Sequence, residues 1–277
     1  LLPLRVALQC GAELPVTWLL LARSLGFCMI HLFARPHLLS WLFPVIWFQV
    51  LDSSEGANHA ASQRRLWYLP VLMLLWVNLH GGFVLGFALL GLYLVSTVIR
   101  QYQGRNEEAR RRRLAQRLRT LGMVTVVSLV ASLINPYGYE LHLHVYRYLT
   151  SRWLMDHIDE FLSPNFHGVA QQCFVAILLI TIVALAVARS KPSLSRVFVL
   201  LLATYSGLYA ARSLPVSSLL LTLIVAPLWT QALPGARDNP RPSLRLRAFV
   251  SRWPAFTGPL EPVEPGFPGP CRRDAAD

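Results

Sequence analysis

An all-α bundle of membrane-spanning helices is the fold this sequence predicts, and three observations predict it. The first is hydropathy: 54% of the 277 residues are hydrophobic and the mean hydropathy is +0.44, which leaves too little polar surface to coat a soluble domain. The second is distribution. The apolar residues fall in continuous runs, several of about 20 residues, the length of a helix that crosses a bilayer core. The third is charge. The net charge is +12, Lys191 is the sole lysine, and the arginines cluster between the apolar runs, as they do in cytosolic loops. Continuous runs exclude a transmembrane barrel, whose strands alternate apolar and polar positions. Arginines clustered in connections also argue against a nucleic-acid surface.

Taken in order, Leu14–Phe33 is the first convincing span, interrupted by Arg23, and Leu1–Ala12 reads as the end of an earlier one. Ala34–His37 is a polar break, and Leu38–Leu51 is a short apolar, aromatic run. Asp52–Arg65 is a polar loop. Leu66–Leu79 and Phe83–Ile99 read as two short spans joined by a tight turn at Asn78–Gly82, where glycine allows the required backbone angles. Arg100–Thr120 reads as a basic loop, and Leu121–Ile134 as the next span. Asn135–Gly168 is a long polar, aromatic and acidic loop, within which Tyr139–Trp153 predicts a helix lying in the membrane interface. Val169–Ala188, Val197–Ala211 and Val216–Leu233 are the last spans, the final one opening at Pro215, where a missing N–H costs nothing. The chain thus predicts about eight spans over residues 1–233. Residues 234–277 are rich in Pro, Gly and Arg and predict a disordered cytoplasmic tail. No internal repeat is evident.

Alternation of the spans sorts the connections onto two sides. Asp52–Arg65, Arg100–Thr120 and Arg189–Arg196 hold thirteen basic residues: Arg64 and Arg65, eight in the middle loop, then Arg189, Lys191 and Arg196. The other set holds four: Arg35, Arg147, Arg152 and Arg212. The excess places the first set in the cytosol and makes Asn135–Gly168 a periplasmic loop. The polar residues at the remaining breaks then share the outer face: Arg35, His37, Asn78, His80, Asn135, Tyr137, Asp156, Asp159, Glu160, Asn165 and Arg212. Polar groups near membrane depth are expensive unless they pair or line a cavity, so this gathering predicts a site.

Each group suggests a chemistry. On a helix, Asp156, Asp159 and Glu160 share a face at i, i+3 and i+4, and such a face acts as a general base or holds a divalent cation. A solvated loop helix explains the same residues. Arg35 and Arg212 stand at helix ends, and arginine forks onto phosphate, which near a bilayer belongs to a lipid. Ordinary headgroup snorkelling is the alternative. His80 beside Gly81 and Gly82 suits a proton shuttle or a turn cap. The cysteines, Cys10, Cys28, Cys173 and Cys271, have no metal or redox spacing. No phosphate-binding loop, dinucleotide fingerprint, nucleophile elbow or zinc-protease motif occurs.

Five segments carry a resemblance: Ala34–Ser40 (ARPHLLS), Leu75–Phe83 (LWVNLHGGF), Asn135–Gly138 (NPYG), Glu160–Pro164 (EFLSP) and Ala211–Pro215 (ARSLP). Together they resemble a family of large multi-pass bacterial membrane proteins that look distantly related to GT-C-type glycosyltransferases, the class of protein mannosyltransferases. The resemblance covers roughly residues 33–233, and LWVNLHGGF is its most specific block. Where the family has Glu-Trp before Ser-Pro, this chain has Phe161. The resemblance implies an inner-membrane enzyme that takes a sugar from a polyprenyl-phosphate carrier, with a catalytic acid in a first outer loop. This chain shows no such loop and is expected to be a fragment, inactive alone. Arg35 and Arg212 would then hold the carrier phosphate. His37, Asn78, His80, Asn135 and Tyr137 would line the pocket. Glu160, with Asp156 or Asp159, would be the catalytic or auxiliary carboxylate. Membrane lipid and the lipid-linked sugar are the implied partners, and no nucleic acid is. A flippase of lipid-linked precursors and a non-catalytic scaffold are the competing readings.

Overall fold

The computed structural model describes residues 37–55, 63–103, 108–188 and 190–232. Within them every regular element is helical: α1 His37–Ser53, α2 Tyr68–Leu79, α3 Val84–Gln103, α4 Glu108–Ser132, α5 Tyr139–Thr150, α6 Arg152–His157, α7 Val169–Val187, α8 Leu194–Tyr209 and α9 Leu214–Ala232. The expected all-α class holds. Three helical stretches, Gly81–Gln103, Glu108–Ser132 and Ala211–Trp229, are long and apolar enough to cross a membrane. Gln171–Val187 and Leu194–Tyr209 are apolar but shorter. The expected span Leu14–Phe33, Arg35 and the tail 234–277 lie outside the described residues.

The basic segment Arg100–Thr120 departs from expectation. Its described residues are helical: residues 100–103 close α3, and residues 108–120 are the first half of α4. Its Ala, Arg, Leu and Gln residues are strong helix formers, Glu108 complements the positive helix start, and Glu108 pairs with Arg112 one turn on. A sustained run of charge lowers hydropathy without breaking a helix.

Helix α9 is the centre of the packing. Leu219, Leu220, Leu221, Leu223, Ile224, Val225 and Ala226 are all buried, and the helix packs against α1, α7 and α8. A helix apolar on every side is stable only when surrounded. Helices α4, α7 and α8 instead turn large aliphatics outward, including Val126, Val130, Ile182 and Leu201. Contiguous exposed apolar surface of this kind suits lipid rather than water.

Helices α1, α2 and α3 interlock through aromatic rings. The indoles of Trp47 and Trp76 both flank Gly86, where an added Cβ would lie 3.2 Å from each. Phe43 stacks on Trp76 with centroids 5.0 Å apart. Glycine at 86 is therefore what lets α3 approach both indoles.

Two junctions share one geometry. At the end of α2, His80 is extended (φ −162°, ψ 143°), its N–H bonds Trp76 O at 2.9 Å, and a single 3₁₀ turn, Gly81–Phe83, leads into α3. At the end of α8, Ala210 is extended (φ −140°, ψ 130°), its N–H bonds Ser206 O at 3.1 Å, and the turn Ala211–Ser213 leads into α9. One extended residue closes the first helix, and the tight turn redirects the chain into the second.

Candidate functional site

The first junction is fixed by local hydrogen bonds. His80 Nδ1 accepts the Gly82 N–H at 3.0 Å, which places the proton of the neutral ring on Nε2. Asn78 Nδ2 donates to Leu74 O at 2.8 Å and to Ile134 O at 2.9 Å, so it ties the end of α2 to the end of α4. A Cβ on Gly82 would stand 3.1 Å from His80 Nδ1 and 3.6 Å from Ser40 Oγ. Ser40, in the first turn of α1, is thus beside the His80 turn. Its buried hydroxyl has no hydrogen-bond partner among the described residues.

The segment after α4 roofs this junction. Asn135 commits its whole amide to the turn that starts the roof: Nδ2 donates to Ser132 O at 2.9 Å and to Gly138 O at 3.1 Å, and Oδ1 accepts the Tyr137 N–H at 2.9 Å. Gly138 has φ +54°, a conformation a side chain would disfavour. Helix α5 then presents one face to the bundle. His142 Nε2 pairs with Ser132 Oγ at 2.9 Å, and its ring meets Phe83 edge-on at 5.3 Å. Further along the helix, Tyr148 meets Phe161 at 5.4 Å. Tyr139, Tyr146 and Leu149 of the same helix are exposed. The predicted helix over Tyr139–Trp153 is present, broken at Ser151, which is extended and caps α6.

The second junction joins the same roof. Arg212 N–H bonds Glu160 O at 2.9 Å, and Ala211 N–H bonds Leu162 O at 3.0 Å. Ser163 Oγ donates to Tyr209 O at 3.4 Å. The Arg212 guanidinium lies over the Phe161 ring, 4.5 Å from its centroid. Phe161 therefore forms the seat for Arg212. A guanidinium held by its face keeps its N–H edge for a ligand, and Arg212 is exposed.

The predicted residues are brought together unequally. Asn78, His80, Asn135 and Tyr137 lie at the first junction and its roof; Glu160 and Arg212 lie at the second. His37 is the first residue of α1, three positions before Ser40. Asp156, Asp159 and Glu160 do not share a helical face, because α6 ends at His157 and Ile158 is extended (φ −106°, ψ 115°). All three carboxylate residues are exposed. Among the described residues no three His, Cys, Asp or Glu side chains are grouped to hold a metal ion.

Sequence reasoning missed a second cluster, at the opposite ends of the same helices. Arg196 grips Asp52 with two bonds, Nε to Oδ1 at 2.9 Å and Nη2 to Oδ2 at 2.8 Å. Tyr93 Oη donates to Asp52 Oδ1 at 3.4 Å. Glu55 Oε1 accepts from Arg100 Nη1 at 3.1 Å and from Ser195 Oγ at 2.6 Å, and it forms an ion pair with Arg117 Nη2 at 3.4 Å without a hydrogen bond. Arg117 Nη1 also donates to Ser54 O at 2.8 Å, and Ser195 meets Ser96. The Arg117 side chain is 3% exposed and that of Asp52 8%. The available signal was the sorting of connections, since all three basic ones carry a member of this cluster.

Comparison with protein-family profiles, with curated proteins and with solved structures finds no match to this chain.

Proposed function

We propose that this chain is the membrane-embedded part of a GT-C-like glycosyltransferase that takes a sugar from a polyprenyl-phosphate carrier at the outer face of a bacterial inner membrane. The chain crosses the membrane about eight times. Its basic connections lie in the cytosol, and the Asn135–Gly168 loop lies in the periplasm with α5 at headgroup level. One observation carries the reading: the segments of the resemblance come together in two groups, one at each junction. Ser40 stands beside Gly82, Asn78 bonds Ile134 next to the NPYG turn, and the EFLSP and ARSLP segments exchange backbone bonds.

The residues divide the work. Arg212, seated on Phe161, holds the carrier phosphate by its free edge, with Arg35 as its counterpart. His80 and Asn78 flank the acceptor or donor sugar. In transfer, the acceptor oxygen bonds the anomeric carbon as the bond from that carbon to the phosphate oxygen breaks. The phosphate leaves with the electron pair and is stabilised by arginine, and the hydroxyl proton passes to a carboxylate, for which Glu160 is the candidate.

Donor binding tests the reading apart from turnover. Arg212→Gln should weaken binding of a polyprenyl phosphate to the chain in nanodiscs about tenfold or more, the worth of one charge-assisted bond. Binding of the unphosphorylated polyprenol should not change. Equal affinity of the parent chain for the two lipids would reject the phosphate site.

A further inference from the structure

We infer that the buried ionic cluster of Asp52, Glu55, Arg117 and Arg196 is a latch that sets the geometry of the junction site at the far ends of the same helices. The inference rests on connectivity, and glycosyl transfer is not part of it. Helix α1 carries Ser40 near one end and Asp52 at the other. Helix α3 follows directly on Gly82 and Phe83 and ends near Arg100. Helix α4 carries Arg117 in its first half and leads to Ser132 and Ile134. Helix α8 starts beside Ser195 and Arg196 and ends at Tyr209, next to Arg212. Every one of these helices touches both clusters, and on α1 the twelve positions from Ser40 to Asp52 separate them by about 18 Å.

Helices of this length behave as levers. Tight core packing resists gradual deformation, so a change of tilt at one end reappears at the other. The latch holds α8 to α1 and the turn that follows it through three bonds across the bundle, two from Arg196 to Asp52 and one from Ser195 to Glu55. Through α8 it therefore restrains the turn that carries Arg212. Maximal stability is a poor explanation for the cluster. A buried ion network is commonly no more stable than an apolar replacement, and its attested use is to fix one arrangement among several. The buried Arg117 Nε also has no hydrogen-bond partner among the described residues, a cost that opening to water would relieve. Asp52, Glu55, Arg117 and Arg196 are positioning residues: they act through the helices and touch no ligand at the junctions.

The test is a distance measured at the junction end while charge is altered at the latch. The cysteines Cys10, Cys28, Cys173 and Cys271 are replaced by alanine, and spin labels are attached to Tyr139→Cys on α5 and Leu208→Cys on α8 in the full chain in nanodiscs. Both label positions are exposed. Asp52→Asn and Ser195→Ala should each shift the mean label separation by about 2 Å, the scale of a helix shift at an interface. Asp52→Glu, which keeps the charge, should hold the parent distance. If Asp52→Asn unfolds the chain, Ser195→Ala carries the test, since it removes only hydroxyl bonds. A parent distance in Asn and Ala variants would overturn the latch, whether or not thermal stability falls. So would a Glu variant that shifts as far as the Asn variant.

Discussion

Helices α1, α3, α4 and α8 are joined at both ends, and the two ends use different chemistry. At the junction end the ties are neutral: Asn78 to a carbonyl, His80 to a backbone N–H, His142 to a serine, and two backbone bonds between the Glu160 and Arg212 segments. At the other end they are ionic, with two carboxylates facing three guanidiniums. Neutral ties to backbone carbonyls are individually worth about 1 kcal/mol and can be lost one at a time. Buried charges depend on one another, because removing one member strands the rest. The comparison teaches that the junction end is the more tolerant one, because its neutral ties can be lost singly. The end that fixes the helices in place carries the costly groups.

The largest expected effect follows from that dependence. Glu55→Ala removes the partner shared by Arg100, Arg117 and Ser195 and leaves the buried Arg117 facing no carboxylate of its own. It should destabilise the folded chain by about 3 kcal/mol or more, the usual penalty for breaking a buried pair from one side. Denaturant unfolding in detergent, followed by helical circular dichroism, measures it. A loss below about 1 kcal/mol would show that water already reaches the cluster and that the contrast between the ends is false.

Asn78→Ala probes the neutral end. It deletes the bond to Ile134 O that ties α2 to α4, at an exposed position where water can replace the lost donor. The expected loss is about 1 kcal/mol in the same assay. A loss as large as that of Glu55→Ala would mean that the junction is as rigid as the latch, and the division of labour would fail.

Much of this arrangement was legible, for physical reasons that differ from element to element. The run Val169–Ala188 coincides with α7 because nothing in it competes with a helix. A break near 80 was visible in His-Gly-Gly, although the turn expected over Asn78–Gly82 begins only at His80 because α2 runs on to Leu79. Its counterpart at Ala210 lies in Tyr-Ala-Ala-Arg, which shares no residue pattern with the first, so the repeated junction geometry was invisible. The first half of α4 was misread because hydropathy discounts arginine, although Glu108 and Arg112 stood at helical spacing. The carboxylate face over Asp156–Glu160 failed because the short α6 stops at His157. The ionic cluster was least legible. Asp52 and Arg196 are 144 positions apart, and only folding pairs them. Sorting connections by charge had nonetheless put the Asp52, Arg117 and Arg196 segments on one side, and the cluster joins those segments.

The smallest effect should come from the ion pair that the sequence displays most openly. Glu108 and Arg112 sit one turn apart at the start of α4, and both side chains are more than two-thirds exposed, at 71% and 79%. Water solvates each partner nearly as well as the other does, and holding two long side chains in one pose has an entropic cost. Glu108→Ala should therefore change stability by only a few tenths of a kcal/mol, including the loss of a favourable charge at the helix start. Added salt should erase most of that difference, whereas it should scarcely alter the effect of Glu55→Ala, whose partners are shielded from the solvent. Measuring both variants at low and at high ionic strength separates burial from charge. The pairs have similar chemistry and involve residues of the same helix, so an equal response to salt would leave burial without a role in the difference between the two ends.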